Sequence, residues 1–168
     1  MGKINWYVVQ TKPRKENLAI ENLQRQGFTA YCPQTILTKR RRHHWEKVIE
    51  PLFPRYLFVQ LNIGVDNFAP IRSTLGVIGL VRFSNQPAVM PDSAIQAIQQ
   101  QEQEIISHGS EDMRWQKGDV VEVIEGPFAG LRGVFQKKTG IERVSLLLDI
   151  LGQQNRITLN IHSLVPVC

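Results

Sequence analysis

One dipeptide, Gly126-Pro127, constrains this chain more than any other pair of residues. It falls inside the stretch 117–140, KGDVVEVIEGPFAGLRGVFQKKTG, directly after the β-branched run of Val120, Val121, Val123 and Ile124. Two further glycines, Gly130 and Gly133, precede a second short run at Val134-Phe135. β-Branched alternation broken by closely spaced glycines predicts hairpin strands joined by tight turns. A helix through the same residues would carry a proline in its interior, at a cost of roughly 3 kcal/mol, and a glycine at about 1 kcal/mol more. Downstream, 143–150 (RVSLLLDI) and 156–161 (RITLNI) read as strands, the second alternating strictly at Ile157, Leu159 and Ile161. Residues 113–168 are therefore expected to form a small five-stranded barrel. The polar, aperiodic 107–112 (SHGSED) serves as the linker before it.

Upstream, the pattern changes. Residues 4–10 (INWYVVQ) predict a strand, and Thr11-Lys12-Pro13 opens a helix over 14–26 with Leu18, Ala19, Ile20 and Leu23 on its apolar face. Gly27 ends it, and 28–33 returns to strand. The run TKRRRHHW at 38–45 is a basic tip beside an aromatic, suited to phosphate contact but equally to a solvated hairpin end. In EPLFPRYLFVQL at 50–61, Pro51 and Pro54 bracket a Leu52-Phe53 pair expected to be exposed. Over 56–61, alternation sets Tyr56 and Phe58 on one face and Leu57 and Val59 on the other. A strand over 77–83 follows, then Pro91-Asp92-Ser93 caps a helix over 94–106 with Ala94, Ile95, Ala97, Ile98 and Ile105 apolar.

The net charge of +5 favours an anionic partner such as nucleic acid. The two cysteines, Cys32 and Cys168, form no zinc spacing and no disulfide framework. No stretch approaches the roughly 20 apolar residues of a membrane span, so a cytoplasmic protein is expected, with no metal, no cofactor and no membrane partner. Asp119, Glu122 and Glu125 read as strand or turn residues and His162 as a surface residue. No catalytic constellation is visible, and the expectation is a non-enzyme.

The order of WYVVQTKP, a charged helix, FTAYCP, the basic tip, PLFPRYLFVQ, RSTLGVIGLVRF and VMPDSAIQAI resembles the N-terminal domain of the NusG family. The 117–140 stretch resembles that family's KOW motif. PLFPRYLFV and LVRF are closest to the specialised RfaH-type antiterminators. The sequence departs from that subgroup where its His-Thr-Thr stretch falls on Asn67, Phe68 and Ala69, and where its arginine falls on Leu75.

The resemblance implies an α+β fold: an αβ sandwich with an antiparallel sheet flanked by helices (1–106), the linker, and the KOW-type barrel (113–168). It also implies a monomeric regulator of transcription elongation. The apolar face of Tyr56, Phe58, Phe83, Ile95 and Ile98 would bind the clamp helices of the largest RNA polymerase subunit. Lys12, Arg14, Lys15, Arg40, Arg41, Arg42, Arg72 and Thr74 would contact non-template or upstream DNA. Ile124, Phe128 and Ile150 would recruit a small-subunit ribosomal protein or a termination factor. The RfaH type also stores its C-terminal domain as a helical hairpin packed on the N-terminal one, and Glu50, Phe135, Arg143, Leu147 and Ile150 match that interface. The Gly126-Pro127 cost favours the barrel as the resting form. A ribosome-associated RNA-binding KOW protein is the competing reading.

Overall fold

A computed structural model describes residues 4–62, 65–83, 85–108, 134–135, 137 and 139–164, with only the helical backbone path given at 106–108 and 153–164. Strand β1 (Ile4–Thr11) is the centre of an antiparallel sheet ordered β2 (Thr29–Tyr31), β5 (Tyr56–Asn62), β1, β6 (Val77–Leu80). Strand β9 (Val89–Met90) pairs with the other end of β1, Trp6 opposite Met90. The hairpin of β3 (Gln34–Arg41) and β4 (His44–Pro51) is a separate two-stranded ribbon, as is β7 (Arg82–Phe83) with β8 (Gln86–Pro87).

Alternation decides the layers. Tyr7 and Val9 of β1, with Leu57, Val59 and Leu61 of β5, pack under α1 (Glu16–Arg25) through Ala19 and Leu23. Trp6, Val8 and Phe58 face the opposite way, toward α2 (Asp92–His108) and its Ala94, Ile95 and Ile98. The expected split of β5 into two apolar faces is what is seen. The expected single strand over 77–83 is divided between β6 and β7. Helix α1 starts two residues later than Arg14, because Arg14 takes φ 62°, a left-handed turn that no helix interior accepts. Gly27 stops it at φ 93°.

The C-terminal segment departs from expectation. Residues 140–164 form one helix, α3 (Gly140–Leu164), in place of strands over 143–150 and 156–161. The buried positions explain the difference: Arg143, Leu147, Ile150 and Leu151 lie at i, i+4, i+7 and i+8, one stripe of a 3.6-residue period. The Leu146-Leu147-Leu148 triplet satisfies period 2 as well as period 3.6, so the sequence hid which one burial would select. Pro127 bears on residues far upstream, and α3 contains no proline to oppose it. The Gly126-Pro127 turn, Asp119, Glu122, Ile124, Glu125, Phe128 and the His162 side chain lie outside the described residues.

Thr139 starts α3. Its hydroxyl accepts the Glu142 N–H at 3.2 Å and donates to the Glu142 carboxylate at 2.8 Å, a capping pair at i and i+3. The stripe packs on Leu52, Phe53, Phe58, Ile95 and Ile98 in one continuous core with Val134 and Phe135. Leu52 and Phe53, expected to be exposed between their prolines, are therefore fully buried.

Two glycines report how closely α3 is seated. A methyl at Gly140 would collide with the Pro54 ring, which cannot swing away. At Gly152 a methyl would sit 3.6 Å from the Phe83 ring, an ordinary contact. Gly152→Ala is thus expected to stabilise docked α3 by about 0.5–1 kcal/mol through helix propensity, whereas Gly140→Ala weakens it. Hydrogen exchange of α3 amides checks both, with protection rising in the first variant and falling in the second.

Candidate nucleic-acid interface and masked apolar face

The apolar face comes first. Phe58 is fully buried, its ring edge-on to Phe53 with centroids 6.0 Å apart. Ile95 and Ile98 are buried beside it, while Tyr56 and Phe83 are partly buried at the margin of the same core. The structure thus brings all five sequence-chosen residues into one surface, and α3 lies over it. Ile150, matched both to a partner contact and to the masking interface, is buried in this contact.

Arg143 fastens the cover. Its side chain has no solvent exposure, and its guanidinium donates to the Leu52 carbonyl at 2.6 Å, the Lys137 carbonyl at 2.9 Å and the Glu50 carboxylate at 2.7 Å. Leu147 and Phe135 are buried alongside. Glu50 serves two cations, because its other oxygen accepts from Lys39 at 2.7 Å. Burial pushes the Glu50 carboxyl up, but the hydrogen bonds from Lys39 and Arg143 outweigh it, and the net shift is below the ordinary carboxylate value.

The basic residues occupy two places. Lys12, Arg14 and Lys15 are exposed at the entry to α1. The loop after the 3₁₀ turn at Ala69–Ser73 lies along α1: the Lys12 N–H donates to the Gly76 carbonyl at 2.8 Å, and Gly76 approaches Lys15 so closely that a Cβ would stand 3.0 Å from its carbonyl oxygen. Arg72 is exposed on this loop. Thr74 is not: its hydroxyl accepts from Gln26 at 2.8 Å and donates to the Pro70 carbonyl at 3.0 Å, so it anchors the loop to α1 from a buried position. Arg40, Arg41 and Arg42 are exposed near the hairpin tip, which turns through left-handed Arg42 and His43.

Sequence reasoning missed Arg55. Its peptide is clamped between the Glu16 carboxylate, which accepts its N–H at 2.9 Å, and Thr11, whose N–H donates to its carbonyl at 2.7 Å. The φ of 73° at Arg55 gave no sequence signal, since glycine is the usual mark of such a turn. The Thr139-x-x-Glu142 capping pair was readable and would have announced α3. Tyr31 donates to Glu102 at 2.7 Å, tying α2 to the sheet; burial and then that carboxylate hold the phenol protonated. Burial also pushes the Cys32 thiol up to about 12, leaving it a poor nucleophile. Among the described residues no group of three His, Cys, Asp or Glu side chains is placed to hold a metal ion, and no helix is long and apolar enough to cross a membrane.

The family model described as transcription termination factor NusG matches residues 4–99. The chain belongs to the NusG family. The transcription termination/antitermination protein NusG of Thermus thermophilus is 24% identical over 180 residues, covering 96% of this chain and 98% of its own. The protein of that name from Escherichia coli K12 is 24% identical over 169 residues, covering 94% and 93%. The one from Staphylococcus aureus is 23% identical over 171 residues, covering 94% and 92%. A solved structure concerning domain interaction in Thermotoga maritima NusG aligns at TM-score 0.41 and 24% identity, over 68% of this chain and 63% of that one.

In this NusG-family chain, Glu50→Ala strands a buried guanidinium and is expected to weaken α3 docking by about 3–5 kcal/mol. Acid acts at the same point. A carboxyl whose value is lowered in the docked form contributes docking stability above its ordinary value, near 4.3 for glutamate. That contribution is lost as pH falls through the lowered value. Hydrogen exchange or near-ultraviolet dichroism from pH 7 downward should show docking hold at neutrality and loosen in acid, with the Glu50→Gln variant lacking that part of the pH response.

Proposed function

We propose that this chain regulates transcription elongation as an antitermination or anti-pausing factor of the specialised, RfaH-like kind. The observation that supports this reading most is the cover itself. The five apolar residues matched to the family's polymerase-binding face are the surface on which α3 lies, fastened by the Arg143–Glu50 pair at 2.7 Å. A face of this size exposed permanently would invite association. Storing it under a helix with one buried ion pair makes its release conditional.

In this mechanism the N-terminal domain docks on the clamp helices of the largest RNA polymerase subunit once α3 has left. Tyr56, Phe58, Phe83, Ile95 and Ile98 then exchange one apolar cover for another. The cations at the α1 entry and hairpin tip hold non-template or upstream DNA through phosphate contacts. A bridge bound to one clamp conformation shifts the clamp equilibrium toward it and so disfavours pausing. The released segment 113–168 takes the barrel form and recruits a small-subunit ribosomal protein or a termination factor through Ile124, Phe128 and Ile150. While α3 is docked, buried Ile150 is withheld from that partner, so polymerase engagement and recruitment are switched together.

Polymerase capture with purified components tests the order of events. Glu50→Ala or Arg143→Ala should raise retention on RNA polymerase roughly tenfold or more, because a larger fraction of the chain is competent. On the Glu50→Ala background, changing Tyr56 and Phe58 to alanine should abolish pause suppression, with a dichroism spectrum showing that the domain remains folded. Full-strength suppression in that variant would remove the docking face from this account. Recovery with ribosomes and never with polymerase would favour the RNA-binding reading instead.

A further inference from the structure

The β3–β4 ribbon has two unlike faces. Side chains alternate along each strand and directly opposed residues share a face, so the pairings Lys39↔Glu46, Arg40↔Trp45 and Arg41↔His44 sort the charges. On the inner face both the lysine and the arginine named by this sorting meet a carboxylate, Lys39 with Glu50 at 2.7 Å and Arg41 with Glu46 at 3.3 Å. The outer face holds Arg40, Trp45, Lys47 and Ile49 and no acidic residue. Neither Arg40 nor Lys47 makes an ion pair among the described residues. Trp45 and Ile49 are each 67% exposed.

We propose that this outer face is a stacking platform for single-stranded DNA, with Trp45 the residue on which a base lies. The inference rests on the bubble-DNA contact proposed above and assigns it a subsite. An open indole beside two uncompensated cations matches the chemistry of a base followed by phosphates, with arginine able to add a cation–π contact. A protein partner would be better served by a contiguous apolar patch, and here Lys47 separates Trp45 from Ile49. A duplex is unsuited because its base faces are closed by their neighbours. Single strands offer them freely.

The path continues at the foot of the ribbon. Ile49 also lines an open cleft of about 490 Å³ that Arg14 and Arg55 line as well. The two carboxylates in that cleft are already engaged, Glu16 by the Arg55 N–H and Glu50 by Lys39 and Arg143. The cleft therefore sets the cations at the α1 entry near Ile49, which shares a face of the hairpin with Trp45.

Titration of the full-length chain with a short oligothymidylate, read by intrinsic fluorescence, tests this directly. Trp6 is only 9% exposed and serves as an internal contrast. The wild-type signal should be quenched. In Trp45→Leu the quench attributable to Trp45 should disappear and affinity fall roughly 5- to 150-fold, the range of one lost base–aromatic stack; Trp45→Phe should keep most of the affinity. Lys47→Gln should reduce the slope of log affinity against log salt by about 0.7. Unchanged affinity in Trp45→Leu, or equal binding and quenching by a duplex of the same length, overturns the platform. Tighter binding of oligouridylate would replace DNA with RNA as its ligand and overturn the assignment. No polymerase is present in this titration, so failure of the clamp-docking reading leaves its outcome untouched and shows only in polymerase capture.

Discussion

A guanidinium cut off from water must find an acceptor for each of its nitrogens, or it costs several kcal/mol. Arg143 meets that demand with groups that no single element could supply. The acceptors come from the end of β4, from the Leu52 turn and from the Lys137 backbone just ahead of α3. The arrangement exists only when α3 is seated, so the arginine acts as a latch with geometric selectivity. Slide the helix by a turn and the carbonyls are missed. The apolar stripe supplies most of the attraction in the interface, but apolar contact is not directional. Arg143 sets the register.

Much of the fold over 4–108 was legible because the signals there agree with one another. The INWYVVQ strand, the Gly27 stop, the alternation from Tyr56 and the helix after Pro91 each carry one period, and each was met. The C-terminal segment was not legible for an equally specific reason. Its leucines satisfy two periods, and the surface that chooses between them belongs to another part of the chain. Leu52 and Phe53 failed in the same way: read between two prolines they look like a loop, and the fold buries them in the core that the docked helix shares. Of the candidate site, the five apolar residues came from the family resemblance and the arginines of the hairpin tip from their clustering in the sequence, and the structure places the first in one core and the second in solvent. Thr74 and Arg55 were not legible, since their roles depend on backbone placement, one hydroxyl turned inward and one peptide held at φ 73°.

The hairpin shows how one short element can serve two ends. Its base presents Glu50 to the latch, and its tip presents cations to solvent. Lys39 touches both functions, because it shares Glu50 with Arg143. Two cations on one carboxylate repel each other, and part of what Arg143 gains from Glu50 is offset by Lys39. Lys39 is partly exposed and screened by solvent, which keeps that offset modest.

Gly152 gives the docked helix a character that packing alone does not convey. It stands in the interior of α3, beside the Phe83 ring, at a point with room for a methyl group. The chain forgoes the alanine that would fit there, and with it a local stiffness of the backbone. A permanent core helix has no use for such a gap. A helix released on engagement, as proposed above, would have one, because unwinding can begin at the residue that resists it least. Gly152 marks the place where the cover would start to come apart.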